Sequence, residues 1–193
     1  MQSLEYKKDL IRRQQEEFAD AVAISVLDKP KVSIWMILIP ILFVYFVYRQ
    51  QRFSSGRKQF AEDFVKTPQR ALDAACRSLE TGQAPDIEKI AQHSTVPPAV
   101  KLVYSSWVQV LVDHYIDLLQ AEGDSFDSLV RCAYANRTNF LLTLNRLNQT
   151  EKDLYAALKP HLNQTTAGTG EIITSIEQHC RRLRRDLAEA IFP

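Results

Sequence analysis

The sequence is poor in cysteine and glycine. Its 193 residues include 3 cysteines and 5 glycines, and Cys76, Cys132 and Cys180 are too far apart for a disulfide scaffold or a zinc ribbon. Few glycines and 46% hydrophobic residues exclude collagen-like and disordered chains. An excess of one charge is also lacking. Lys and Arg number 24 against 23 Asp and Glu, a net charge of +1, so we do not expect a nucleic-acid partner.

Motifs of catalysis and of cofactor binding are absent from the sequence as well. The glycines fit neither G-x-x-x-x-G-K nor G-x-G-x-x-G, and no serine lies in a G-x-S-x-G elbow. The four histidines are scattered and form no His-x-x-x-His or Glu-x-x-His pair, which excludes the usual two-ligand metal spacing on one helix. We therefore predict no catalytic site of a recognisable kind, no cofactor and no metal.

One long apolar run is present. Residues 32–48 form 17 consecutive positions without a charge, and Ser33 is their one clearly polar side chain. A helix of this length reaches about 26 Å, just short of the roughly 30 Å hydrocarbon core of a bilayer. Trp35, Tyr45 and Tyr48 lie where aromatic belts form at the membrane interface. The run predicts a membrane anchor, with the lipid bilayer as a partner.

Pro40 lies in the middle of this run. Proline lacks a backbone donor and blocks the carbonyl four residues earlier, that of Met36, so a helix kinks there. Two geometries stay open: a kinked transmembrane helix, and a re-entrant wedge that turns near Pro40 and leaves by the same face. The turn of a wedge exposes backbone polar groups to lipid, and this cost favours the single span.

Basic residues flank the run on both sides. Lys29 and Lys31 precede it, and four juxtamembrane bases follow it: Arg49, Arg52, Arg57 and Lys58. The larger number after the run predicts a single-pass protein whose larger C-terminal domain is cytoplasmic, and unpaired cysteines fit that reducing compartment. Four bases nearer the N-terminus favour the opposite orientation: Lys7, Lys8, Arg12 and Arg13.

The rest of the chain has the apolar spacing of α-helices, and no stretch alternates with period two long enough for a strand. Residues 3–27 predict an amphipathic helix whose stripe packs against protein. The later helices are expected from Phe60 to Gly82, from Asp86 to Gln92, over 98–121, from Asp124 to Leu147, from Thr150 to Pro160, and over 171–191. The stretch 98–121 is the most apolar of them and is expected at the centre.

The predicted fold class is all-α, with one N-terminal transmembrane or re-entrant helix followed by a bundle of about five helices. Four regions follow from the pattern. They are an amphipathic helix in 1–31, the membrane segment 32–48, a basic juxtamembrane linker 49–59 and the helical-bundle domain 60–193.

Two polar clusters of the bundle are candidate sites. Asp113, His114 and Asp117 lie together on the predicted central helix and can carry acid–base chemistry if they are buried. Two acids one turn apart are, however, typical of a solvated helix edge. The densest basic cluster consists of Arg181, Arg182, Arg184 and Arg185. Acidic residues lie four positions from Arg181, Arg182 and Arg185, which predicts intrahelical ion pairs on a solvent-exposed face rather than a site for anionic lipid or an acidic partner.

The function that these patterns favour is a membrane-anchored helical interaction or accessory-subunit protein, with another protein or a second copy of the chain as partner. One alternative is an enzyme with a helical-bundle site around Asp113, His114 and Asp117. A second alternative is a structural protein that uses a wedge at Pro40 to shape or sense the bilayer.

Overall fold

The computed structural model describes residues 3–27, 56–94, 96–162 and 169–193. Within these ranges the chain forms helices and no strand, which confirms the predicted all-α class. Seven α-helices and one 3-10 helix are present there: α1 (Leu4–Leu27), α2 (Gly56–Thr81), α3 (Ile87–Gln92), the 3-10 helix Pro98–Val100, α4 (Lys101–Gln120), α5 (Phe126–Tyr134), α6 (Arg137–Leu162) and α7 (Thr169–Ile191).

The predicted membrane anchor, with Trp35, Pro40, Tyr45 and Tyr48, lies outside the described residues. Arg49 and Arg52 lie outside them as well. Arg57 and Lys58 belong to the first turn of α2, and their side chains are not among those described. None of the helices in the described ranges combines the length and the apolarity that crossing a membrane requires.

Helix α4 lies at the centre of the bundle. It contacts α1, α2, α3, α5 and α6. Half of its 20 residues are buried, and Val108, Val112 and Leu118 have no exposed surface at all. This position follows from its sequence, because a helix that is apolar on most of its faces is stable in water only when other helices cover it.

Helix α1 packs on α2 in antiparallel orientation. Lys8 Nζ lies 3.0 Å from Asp73 Oδ1, and the rings of Phe18 and Phe64 have centroids 6.2 Å apart. Residue numbers along α2 therefore fall as those along α1 rise. The apolar stripe of α1 is buried at Ile11, Ala19 and Val22, against α2 and the last helix, α7, so the helix shares the core of the bundle.

The N-terminal half of α1 is also held by polar contacts. Lys7 is buried, and its ammonium donates a hydrogen bond to the carbonyl of Leu119 in the last turn of α4, at 3.1 Å. The hydroxyl of Tyr6 donates to the carbonyl of Asp124 at 2.9 Å. A cation at a helix C-terminus satisfies a free carbonyl and interacts favourably with the helix dipole. These contacts fix α1 against the loop between α4 and α5.

Several helix ends follow side-chain chemistry that is visible in the sequence. Gly82, which the sequence predicts as the end of α2, has φ +70°, and its N–H donates to the carbonyl of Ser78 at 2.9 Å. Glycine adopts this conformation without steric cost. Asp86 begins α3, since its carboxylate accepts the N–H of Lys89 at 2.9 Å.

The boundary predicted between Leu147 and Thr150 is wrong. Helix α6 runs through Thr150, whose hydroxyl donates to the carbonyl of Leu147 inside the helix at 3.1 Å instead of capping a new one. The helix also continues past Pro160 to Leu162. From residue 56 onward the described ranges contain six α-helices, against about five predicted.

The break lies earlier, at Ala135. Helix α5 ends there, and Asn136 begins α6 by accepting the N–H of Asn139 at 3.0 Å. Ala135 has φ 61°, the one positive φ of a residue other than glycine in the described ranges. An alanine carries no sequence signal for a helix end, because a Cβ disfavours positive φ.

We expect Ala135→Gly to raise the free energy of unfolding by up to about 1 kcal/mol, because glycine removes the strain of positive φ. Urea denaturation measures it. The matched control is Ala133→Gly inside α5, which should lower the free energy of unfolding by about 1 kcal/mol. If both glycines destabilise the protein equally, the helix does not end at Ala135.

Candidate functional site

A charged pair lies inside the bundle between α6 and α7. Arg184 and Glu151 are both buried, with 7% and 6% of their surface exposed. The two guanidinium nitrogens donate to the two carboxylate oxygens, Nη1 to Oε2 at 2.6 Å and Nη2 to Oε1 at 2.7 Å. This bidentate geometry is the strongest that the two side chains can form.

Other side chains complete the surroundings of Arg184. Its Nη1 also donates to Oδ1 of Asn148 at 2.6 Å, and the guanidinium carbon lies 5.4 Å from the centre of the Phe18 ring of α1. The cation therefore joins three helices. Burial alone would lower the pKa of Arg184, but the adjoining Glu151 carboxylate holds that pKa above its ordinary value, so the side chain stays charged.

A second polar group, His114 of α4, lies in the same interior. Its Nδ1 is 2.5 Å from the hydroxyl oxygen of Tyr134, and its ring stacks near those of Tyr134 and Phe140. Burial, and then the positive charge of Arg184, lower the pKa of His114 from 6.5 to about 4. The imidazole is therefore neutral at pH 7.

These groups border a cavity of about 130 Å³ at the place where α1 closes the bundle. Its wall is mostly apolar, with side chains from all the helices except α3. The polar members of the wall are Gln14, Gln15, Trp107, His114, Tyr115, Glu151, Tyr155 and Arg184. Concave apolar spaces with a few polar groups are the usual form of small-molecule sites.

Three polar atoms of this wall have no hydrogen-bond partner. They are Nε1 of Trp107 and both amide atoms of Gln15, Nε2 and Oε1, and all are inaccessible to solvent. Leaving a buried donor or acceptor unpaired costs about 1–3 kcal/mol. These atoms are therefore the part of the interior whose hydrogen bonding the fold leaves incomplete.

The structure does not join Asp113, His114 and Asp117 into one site. His114 points into the core, whereas Asp117 is exposed and Asp113 accepts a hydrogen bond from Gln109 at 2.7 Å. Partial burial, together with the neighbouring carboxylate of Asp113, raises the pKa of Asp117. Asp113 and Asp117 therefore lie along one edge of α4, as is typical of two acids one turn apart. Within the described residues, no group of three or more His, Cys, Asp and Glu side chains is placed to hold a metal ion.

The interpretation of the basic cluster as one solvated face is wrong for one of its four members. Arg181, Arg182 and Arg185 are exposed, but Arg184 is buried. Glu189 was expected to pair with Arg185 along α7. Its Oε1 lies 2.8 Å from Nη2 of Arg137 in α6 instead.

The sequence carried a signal for the buried polar residues. Arg184 lies four positions after Cys180 and three before Leu187, inside the apolar stripe of α7. Glu151 lies four positions after Leu147 and three before Leu154 of α6. A charged residue at a core-facing position of a helical stripe needs an internal partner. The partner itself is 33 residues away in sequence and is not visible in the pattern of either helix.

Comparison with known proteins finds no matching family model, no matching curated protein and no matching solved structure. A function for this chain is therefore inferred from its sequence and geometry.

Proposed function

We propose that this chain is a membrane-anchored helical protein of the interaction or accessory-subunit type, with α1 and the bundle on the same face of the membrane. Residues 32–48 are the anchor, in the re-entrant form that turns at Pro40. The observation that supports this geometry is the antiparallel packing of α1 on α2.

The register of that packing brings two chain ends together. Lys8 is opposite Asp73 and Phe18 is opposite Phe64, so the paired residue numbers sum to 81 and 82. Continued along the helices, this register sets Leu27 at the end of α1 beside Gly56 at the start of α2. The connection 28–55 therefore leaves and re-enters at one end of the bundle. A single span would carry α1 to the other side of the membrane and would separate it from α2.

Keeping α1 in the bundle offsets the cost that favours a single span. Its removal would expose Ile11, Ala19 and Val22, each at most 1% exposed. Burial of an aliphatic side chain of this kind contributes about 1.5–3 kcal/mol, less for alanine. The buried ammonium of Lys7 would also lose its acceptor on Leu119. Together these losses offset part of the cost of the turn, which is several kcal/mol for each unpaired backbone group in lipid.

A shallow wedge also suits the sequence of the anchor. Pro40 divides residues 32–48 into two arms of eight residues, and a helix of that length reaches about 12 Å, within one leaflet. Proline brings no N–H to the turn, so one donor fewer is left unpaired there.

The flanking charges fit the same arrangement. Lys29 and Lys31 and the four bases after the run then lie on one face, which the positive-inside rule assigns to the cytoplasm. Two of the four bases that favoured the opposite orientation have roles inside the fold, since Lys7 caps α4 and Lys8 pairs with Asp73.

An anchor that does not cross the bilayer acts on one face only, which supports an accessory or docking role over transmission of a signal between compartments. The partner, a protein or a second copy, stays a prediction. The enzyme alternative is supported less well, because His114 is engaged with Tyr134 and faces away from the exposed Asp117. Bilayer shaping is the second candidate, since a wedge in one leaflet expands that leaflet.

Cysteine labelling in intact bacterial cells tests this topology. In a background with Cys76 and Cys180 replaced by alanine, the exposed native Cys132 reports the side of the bundle. Single cysteines at Ser3 and Ser54, each in a variant that also carries Cys132→Ser, report the two flanks. We expect a membrane-impermeant maleimide to leave all three positions unlabelled until the membrane is permeabilised.

Two outcomes contradict the proposal. Labelling of position 3 in intact cells with protection of Cys132 would establish a single span. Recovery of the chain in the soluble fraction after carbonate extraction would show that residues 32–48 do not anchor it in the membrane. The control is deletion of residues 32–48, which should release the chain to the soluble fraction.

A further inference from the structure

We propose that the cavity between α1 and the bundle is a binding site for a small neutral ligand that has a compact, preferably aromatic, body and one polar group able to accept a hydrogen bond. This inference rests on the cavity alone and is independent of the membrane topology.

The size of the cavity sets the size of the ligand. A cavity needs about 10–15 Å³ of such volume for one water, and an engineered apolar cavity of about 150 Å³ binds benzene. At about 130 Å³, the present cavity has room for a single six-membered ring with a small substituent. The rings of Phe18, Phe64 and Phe140 line the wall, and aromatic side chains are suited to offset or edge contacts with an aromatic body.

The unpaired atoms set the polar group of the ligand. Trp107 is 7% exposed, lines the cavity, and has its Nε1–H without an acceptor. An indole N–H only donates, so the ligand must supply an acceptor. The amide of Gln15, which has no partner within hydrogen-bond distance, lies in the same wall next to the Tyr115 side chain. A hydroxyl on the ligand can accept from Trp107 and donate to Gln15.

The charges around the cavity favour a neutral ligand. Arg184 and Glu151 neutralise each other through two hydrogen bonds, and His114 is neutral at pH 7 because burial lowers its pKa to about 4. No described wall residue therefore offers an unpaired countercharge. A charged ligand would lose its hydration without recovering an ion pair.

Phenol and benzene are the two probes that test the proposal, with the full chain in detergent micelles and the tryptophan of the membrane run removed by Trp35→Phe. Trp107 is then the single tryptophan, and its indole N–H gives one resonance in a ¹⁵N-edited spectrum. We expect phenol to move this resonance and to raise Tm, both saturating with one Kd, and benzene to bind more weakly.

Two variants separate the hydrogen bond from the cavity. Trp107→Phe removes the donor and should weaken phenol binding about fivefold, the size of one net hydrogen bond, while benzene binding changes little. Leu144→Phe fills the cavity and should abolish binding of both probes. Leu142→Phe is the matched control, because it makes the same change two positions away at an exposed site of α6.

The proposal fails if phenol neither moves the Trp107 resonance nor raises Tm, since water alone would then satisfy the unpaired atoms. It also fails if Leu144→Phe binds phenol as tightly as Leu142→Phe, because the probe would then lie in the micelle or elsewhere on the surface. Circular dichroism of each variant establishes that the helices are intact. The phenol titration of the Trp35→Phe chain tests the proposal even if a cavity variant does not fold, because that chain has an unchanged cavity wall.

Discussion

Arg184→Ala is expected to lower the free energy of unfolding by about 3 to 5 kcal/mol. The change removes both nitrogens that bind Glu151 and leaves its carboxylate buried without a counterion. It also removes the contact of the guanidinium with Phe18 of α1. Urea denaturation of the purified full chain, followed by circular dichroism, measures the loss.

A second variant distinguishes the loss of a partner from the loss of a favourable pair. Glu151→Leu combined with Arg184→Met removes both charges and should recover most of the stability, because a buried ion pair gains little over apolar groups of similar volume. Arg185→Ala, at the adjoining exposed position, is the control and should change stability by no more than about 0.5 kcal/mol. If Arg184→Ala and Arg185→Ala cost the same, the pair is not buried in solution.

The burial of Arg184 could not be predicted from the spacing of charges along α7. Four arginines lie within five positions, and three of them, Arg181, Arg182 and Arg185, have an acid four positions away, which is the pattern of exposed ion pairs. That pattern takes no account of which face of α7 is turned inward. The inward face is set by Ile176, Cys180 and Ile191, and Arg184 lies on it. The spacing of the charges therefore predicted the exposure of three of the four arginines correctly.

Features encoded over a few residues were predictable. The all-α class, the extent of α1, the central place of α4 and the ends at Gly82 and Asp86 all follow from local periodicity and capping. The break at Ala135 was not predictable, because its positive φ is imposed on a residue that disfavours it. The same holds for Thr150, where a capping sequence lies within a continuous helix.

Features that depend on contacts between distant segments were not predictable. The cavity takes its wall from six helices, and its unpaired Trp107 and Gln15 lie on stripes that their sequences present as ordinary core positions. The choice between a single span and a wedge likewise depends on contacts such as Lys8 with Asp73, across 65 positions of sequence. The sequence predicted two membrane geometries, and the proposal of a wedge rests on the packing of the flanking helices and not on the run itself.

Acid is expected to destabilise the protein through His114. Burial, and then the charge of Arg184, lower the pKa of this imidazole from 6.5 to about 4 in the folded chain. The unfolded chain therefore binds a proton at a pH where the folded chain does not. The stabilisation is complete above pH 6.5 and is lost as pH falls from about 6.5 to about 4. A difference of about 2.5 pKa units corresponds to about 3 kcal/mol.

The measurement is the free energy of unfolding at half-unit steps from pH 7.5 to 4, for the wild-type chain and for His114→Gln. The groups that face the ring, Arg184, Tyr134 and Tyr115, do not titrate in this range, and acids such as Asp117 are common to both chains. Below pH 6.5, the free energy of unfolding of the wild-type chain should fall more steeply than that of His114→Gln, by up to about 1.4 kcal/mol per pH unit. His93→Gln, the same substitution at an exposed histidine, is the control for the change of side chain itself. Parallel curves for wild type and His114→Gln would contradict the burial of a neutral His114 beside Tyr134, since a histidine that titrates alike in both states adds no slope.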